Sequence, residues 1–257
     1  MSTAAPNSPP PPLALIICDV FAKELELVTG GAAHIVARET LPIALHDHPD
    51  KMRADLQEII NGWESRADMA AVALVYGLCG CGTTGLVSSR HRLVIPRAHD
   101  CRAVLLGDPG HFARRAATCP GCYYYTPGWN KARRVPGPER EEMLRQDLLA
   151  RFDPEDVEFL LESEAETWRA YDTAVYIDHG TDGSEAEAAY TETCARHLGW
   201  RYERVQGDIS WLRDLIWGNW DEARFQIIEP GQRMVHSPDE RIMRAGPAAT
   251  SSSATKP

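Results

Sequence analysis

Short apolar runs rich in β-branched and aromatic residues recur along the chain, each broken off by Gly, Pro, Asp or His. They are LALIICDV from Leu13, HIVARE from His34, MAAVALVY from Met69, HRLVIP from His91, CYYYT from Cys122, TAVYID from Thr173, RYERV from Arg201 and RFQII from Arg224. Runs of this length and composition predict strands. Between them the apolar spacing changes to that of a helix. Pro49 suits a first helical turn, and Met52, Leu56, Ile59, Ile60 and Trp63 then share one face, with Asn61-Gly62 marking the end. Ser184 and Glu187 stand at capping-box spacing and predict a helix that stops at Gly199, between TAVYID and RYERV. This alternation predicts an α/β fold: a mainly parallel sheet flanked by helices, Rossmann-like.

The folded body is expected over residues 13–240. Pro136-Gly137-Pro138 breaks it before a charged helical stretch from Glu139 to about Ala170, which suggests two similar α/β halves, 13–135 and 139–240. The Pro/Ser/Ala-rich residues 1–12 and the segment 241–257 lack apolar periodicity and read as disordered tails.

Composition narrows the function. The chain has 257 residues, enough to bury a core without staples, and its net charge of −10 argues against a phosphate-backbone binder, so no nucleic-acid partner is expected. Its first apolar segment, Leu13 to Val20, contains Asp19 and lacks a basic flank, so neither a secretory signal nor a membrane span is expected. Seven cysteines in such a chain are expected to stay reduced in the cytoplasm and to serve metal or thiol chemistry.

Ligands of parallel α/β sheets bind where the strands end, so the residues after each strand are informative. The first strand delivers Cys18 and Asp19. An extended stretch, LPIALHDHP, delivers His46, Asp47 and His48. The third strand leads to Cys79 and Cys81, and the fourth to Arg97, His99, Asp100 and Cys101. Thiols from three segments and imidazoles from a fourth are a donor set for a soft transition metal, although cysteine is also a common small core residue. Asp100 reads as a helix N-cap, and Cys101 in the following turn is expected to have a lowered thiol pKa from the helix dipole. Arg97 is a candidate for holding an anionic substrate group, and His99 for ligation or proton transfer.

The turn after the third strand reads in two ways. Gly80, Gly82 and Gly85 have the spacing of a phosphate-binding loop. A dinucleotide fingerprint, however, opens the first βα unit and has an acidic residue about 20 positions on, whereas Asp100 arrives early. A tight turn carrying a metal-binding thiol ranks above a nucleotide site. Cys119-Pro-Gly-Cys122 ends a helical pattern and precedes a strand, the reverse of a thioredoxin-like arrangement, and reads as a turn rather than a redox centre. Tyr123, Tyr124, Tyr125 and Trp129 read as core and pocket wall, with an aromatic cage for a methylated cation as the alternative. His179 reads as a surface loop residue, Glu24 as either a proton acceptor or a solvated position, and Cys194 as the apolar face of its helix.

ALHDHPDKMRADLQEII, YGLCGCGTTGL, LVIPRAHDC and YYYTPGW, in this order, resemble the motifs of a bacterial and archaeal family of unknown function. The resemblance spans about residues 13 to 235. It implies that Cys18, His46, Cys79, His99 and Cys101 are the positions to watch, and a genomic setting that sometimes includes corrinoid methyltransferase genes. Cys81 stands where the family has Asn, and Cys122 where it has Thr. These departures leave Cys18, Cys79 and Cys101 as the economical metal-binding set.

The expected function is therefore a cysteine-thiolate metal protein, with zinc as cofactor or an iron–sulfur cluster as the alternative. His46, His99 and Arg97 are its candidate catalytic groups, and a small thiol or methylated compound is its expected substrate, in an enzyme of methyl, one-carbon or thiol metabolism. A nucleotide-dependent oxidoreductase using Gly80, Gly82 and Gly85 is one alternative. A noncatalytic metal carrier or accessory partner of a methyltransferase system is another.

Overall fold

The computed structural model describes residues 9–107 and 109–248. Two compact units emerge, each assembled from separate pieces of chain: among the described residues, 9–21, 28–104 and 210–248 form the first, and 22–27, 105–107 and 109–209 the second. These are not the expected sequential halves, because Pro136-Gly137-Pro138 lies inside the second unit. A proline-rich break marks a local turn, whereas unit membership follows long-range packing that local sequence does not encode.

Along the chain, β1 (Leu13–Cys18) leads through a 3₁₀ turn into α1 (Ala22–Val28), then β2 (Ile35–Leu41), α2 (Pro49–Trp63), β3 (Ala71–Val75), β4 (Arg92–Pro96) and α3 (Cys101–Leu105). The second unit continues with α4 (Pro109–Thr118), β5 (Cys122–Tyr125), α5 (Pro127–Asn130), α6 (Pro138–Leu149) and α7 (Pro154–Thr167). It closes with β6 (Thr173–Asp178), α8 (Ser184–Leu198) and β7 (Arg201–Gln206). The chain then returns to the first unit with α9 (Ser210–Trp217), β8 (Phe225–Ile228), β9 (Gln232–His236) and β10 (Met243–Pro247).

In the first unit the strands run in the order β2-β1-β3-β4-β8, all parallel except β8, which pairs antiparallel with β4 along the edge. Strands β1 and β3 are buried along nearly their whole length, which is why they read as continuous apolar runs rather than alternating ones. Helix α2 covers one face, where Met52, Leu56 and Ile60 pack with Ala14, Ile16, Val72 and Leu74, while α9 lies against β3 and β4. Strand β10 falls where the C-terminal tail was expected, so residues 243–247 pair with β9 instead of forming a disordered end. Residues 1–8 and 249–257, where the remaining tail expectation falls, lie outside the described residues.

The second unit is a three-stranded parallel sheet, β5-β6-β7. Its β6–α8–β7 unit matches the expected βαβ element, and Gly199 takes a left-handed conformation (φ 70°) to end α8 as the sequence implied. The capping box is not formed. Gly183 is the N-cap, and the Ser184 hydroxyl donates to Asp178 at 2.5 Å instead. Among the described residues, no helix is long and apolar enough to cross a membrane.

Candidate functional site

The first sheet changes direction between β1 and β3. From β1 the chain moves outward to β2, then returns to the other side for β3, which makes the carboxyl ends of β1 and β3 the topological switch point, where ligands of such sheets bind. Cys18 is the last residue of β1, Cys79 follows β3, and Cys101 follows β4, so three adjacent strands each bring one thiol to this edge. The β3–β4 pairing persists past both strands: Leu78 N donates to Ala98 O at 2.8 Å and Cys79 N to His99 O at 2.9 Å. Gly77 lets the two exits approach, since a Cβ there would stand 2.7 Å from the Asp100 Cα.

Cys18 acts electrostatically on Cys79, and both act on Cys101. Burial pushes the Cys18 thiol up to about 11, eased by the Val20 N–H and reinforced by Asp19. Burial pushes Cys79 up to about 12, with Cys18 the next contributor, while the Gly77 and Cys101 amides act in the opposite sense. Cys101 is raised well above the ordinary thiol range by burial, then by Cys79, Asp100 and Cys18. The expected dipole-lowered Cys101 is thus corrected: α3 is a single five-residue turn, too short to offset desolvation and two neighbouring sulfurs. Tyr76, which the sequence reading passed over, is buried beside Cys18 and Cys79, and its phenol is raised by burial and then by both thiols.

The loop beyond Cys79 is wound tightly. Cys79 (φ 46°), Gly80 (φ 63°) and Cys81 (φ 67°) are all left-handed, which for two cysteines is a strained arrangement held by the surroundings. Gly82 N donates to Cys79 O, Thr84 N to Cys81 O and Gly85 N to Met234 O, so the loop turns its amides onto the protein. Arg53 clamps it from α2, donating to Thr84 O at 2.7 Å and Cys81 O at 3.1 Å. The chain then runs irregularly to β4, and no helix opens after Gly85, which removes the dipole end that a phosphate cradle uses.

The remaining candidates separate from this cluster. Arg97 is buried and donates through Nε to Glu222 O and Phe225 O, and through Nη1 to Arg241 O and Met243 O. It is a clamp between β4 and the C-terminal strands, and those nitrogens are not free for a substrate anion. His46 is exposed on a 3₁₀ turn, Ile43–Asp47, rather than on an extended segment, with its ring bonded to Ile43 O and facing Asp47. His99 is exposed. Asp100 caps α3 as expected, accepting from the Arg102 and Ala103 amides at 2.9 and 3.2 Å, and it also pairs with the Arg102 guanidinium. Among the described residues, no three His, Cys, Asp or Glu side chains are already arranged to hold a metal ion.

Two readings in the second unit change. Glu24 and the side chain of His179 are buried, not solvated, with His179 Nδ1 3.5 Å from Glu24 Oε1. His179 Nε2 donates to Leu105 O at 2.8 Å, so Nδ1 can meet the carboxylate only with a further proton between them. Cys119 and Cys122, expected to be reduced, form a disulfide across a turn that brings their Cα atoms to 5.6 Å. Cys18, Cys79, Cys81, Cys101 and Cys194 remain free thiols.

An α/β protein with three cysteines at the topological switch point of a parallel sheet is the class that the fold defines. The chain belongs to the family described as Protein of unknown function (DUF1638), whose model matches residues 40–216. No curated protein and no solved structure matches the chain.

Proposed function

We propose that the protein binds a thiophilic metal ion, with zinc as the leading candidate, through Cys18, Cys79 and Cys101 at the carboxyl edge of the first sheet. The observation that carries this reading is the delivery of one thiol by each of three adjacent strands at the β1–β3 switch point, close enough that Cys18 acts on Cys79 and both act on Cys101. Without a cation these thiols are protonated at neutral pH. A divalent ion supplies the charge that burial otherwise withholds, and ion binding exchanges protons for metal while drawing the sulfurs together. The amides that face the Cys79 sulfur, from Gly77 and Cys101, suit a thiolate.

Three protein ligands leave a fourth position for an exogenous donor, and an ion so held would activate a substrate thiol as a nucleophile. Thiol or methyl-group metabolism is therefore the substrate class this reading favours, in agreement with the methyltransferase setting implied by the family resemblance. Cys81 is outside the ligand set. Its left-handed backbone is one that asparagine tolerates, so Cys81→Asn keeps fold and metal while Cys79→Ser loses most of the metal. Elemental analysis of untagged protein purified anaerobically tests both variants. Equal loss in the two would reject this ligand set, and absence of stoichiometric metal from the wild type would reject the reading. A brown protein that bleaches on reduction would assign the same cysteines to an iron–sulfur cluster.

A further inference from the structure

We propose that the Cys119–Cys122 disulfide of the second unit is a redox-active exchange site for a dithiol, with Cys119 the sulfur attacked and Cys122 the sulfur that leaves. A purely structural role explains little. The bridge closes a separation of only 3 residues, across a turn where Cys122 N already donates to Cys119 O at 3.2 Å, and the shortest loops gain least from a crosslink. The bridge does join two differently anchored elements, since Cys119 follows α4 and Cys122 begins β5.

The two sulfurs are not equivalent. Cys122 is buried at 5% exposure, at the start of a strand paired with β6, whereas Cys119 is half-buried beside the exposed Pro120. An incoming thiolate therefore reaches Cys119 first. On the far side, Arg115 Nη2 donates to Cys122 Sγ at 3.9 Å, and its guanidinium is held in place by Glu203 at 2.9 and 2.7 Å. A fixed cation beside one sulfur stabilises the thiolate that forms there, which makes it the better leaving group. The linking residues are pinned too: Gly121 O accepts from Asp172 N and Thr173 N at 2.9 and 3.2 Å, so opening the bond need not unfold the turn.

The step balances as a two-electron exchange. A thiolate of the dithiol attacks Cys119 Sγ, the Cys119–Cys122 bond breaks, and its electron pair leaves on Cys122 beside Arg115. The dithiol's second thiolate then attacks its own sulfur in the mixed disulfide and releases Cys119. The dithiol ends as a disulfide, and its two protons pass to the protein thiols.

The test uses the full chain, purified without reductant, exposed to graded ratios of reduced to oxidised dithiothreitol, acid-quenched, alkylated and read at the peptides carrying each cysteine. The expected result is a reversible transition of Cys119 and Cys122 together, with unchanged circular dichroism. Arg115→Gln should slow reduction by roughly 3- to 10-fold, the size expected when a leaving thiol's pKa rises. Because that variant also breaks the Glu203 pair, accessibility supplies a second reading: native Cys122→Ser leaves Cys119 quickly alkylated, and native Cys119→Ser leaves Cys122 slow. Free Cys119 and Cys122 in protein equilibrated with oxidised dithiothreitol, a bridge reduced only after denaturant is added, or equal alkylation rates in the two serine variants would each overturn the proposal.

Discussion

Gly77→Ala should be among the most damaging single-methyl changes in the first unit. The added Cβ would stand 2.7, 2.8 and 2.9 Å from the Asp100 Cα, C and N, where ordinary contact begins at 3.4 Å. The shortfall from 3.4 Å to 2.7 Å is about 0.7 Å, and backbone must absorb it. That backbone is held on both sides, by the hydrogen bonds of Leu78 and Cys79 to Ala98 and His99 and by the Asp100 cap of α3. Forced overpacking of this kind costs about 1–3 kcal/mol. With a urea dependence of about 2–3 kcal/mol/M, the unfolding midpoint should fall by roughly 0.3–1.5 M. Two alanine controls isolate the cause. Gly80→Ala meets only Pro49 Cγ at 3.5 Å but keeps φ at +63°, so strain alone should cost about 1 kcal/mol. Gly62→Ala has nothing within 4 Å inside α2 and should be neutral or stabilising by up to about 1 kcal/mol. A Gly77→Ala midpoint equal to wild type, or above that of Gly80→Ala, would refute the steric reasoning.

Other expectations rest on single side chains. Arg97→Ala strips four backbone carbonyls of a buried donor and should lose about 2–4 kcal/mol in urea unfolding, with loss below 1 kcal/mol contradicting the clamp. Glu24→Gln can donate an amide hydrogen to His179 Nδ1 without a charge and should be at least as stable as wild type at pH 7, whereas Glu24→Ala should lose about 2–3 kcal/mol; the reverse order in thermal melts would show the carboxylate to be required. Burial raises the Asp178 carboxyl, but the Ser184 hydroxyl, the Gly180 amide and Arg204 outweigh it and hold it below the ordinary range. Its stabilisation is thus complete above the unfolded value of about 4 and vanishes as pH drops through the lower folded value. Asp178→Asn should be less stable than wild type at pH 7, with the gap closing toward pH 2–3, and a gap that widens in acid would invert the sign.

Much of this architecture is written locally. Eight strands follow from short runs rich in β-branched and aromatic residues, continuous and apolar in the buried β1 and β3, and the helices α2 and α8 follow from Pro49 and Gly199, because a strand or a left-handed helix end leaves a residue-level mark. The short β9 and β10, with Arg233, His236 and Arg244 among their residues, leave none. The thiol cluster was legible because carboxyl ends of parallel strands share an edge whatever their order. Its ionisation was not, since the expected dipole effect on Cys101 depends on helix length and burial, neither of which a motif fixes. Arg97 was misread for a related reason: its partners, Glu222 to Met243, lie more than a hundred residues downstream. Likewise Glu24 finds His179 across a separation that no local pattern spans.

The division of the first unit into pieces matters for how the molecule is made. Residues 105–209 are synthesised between β4 and its edge neighbour β8, so a ribosome releases the entire second unit before Phe225 emerges. At about 5–20 residues per second, that interval lasts on the order of ten seconds. Throughout it, β4 presents an unpaired edge and Arg97 has no carbonyls to bind. The nascent chain thus carries a bare parallel sheet with a lone guanidinium, the stage at which a chaperone, or another nascent copy, has an edge to grip.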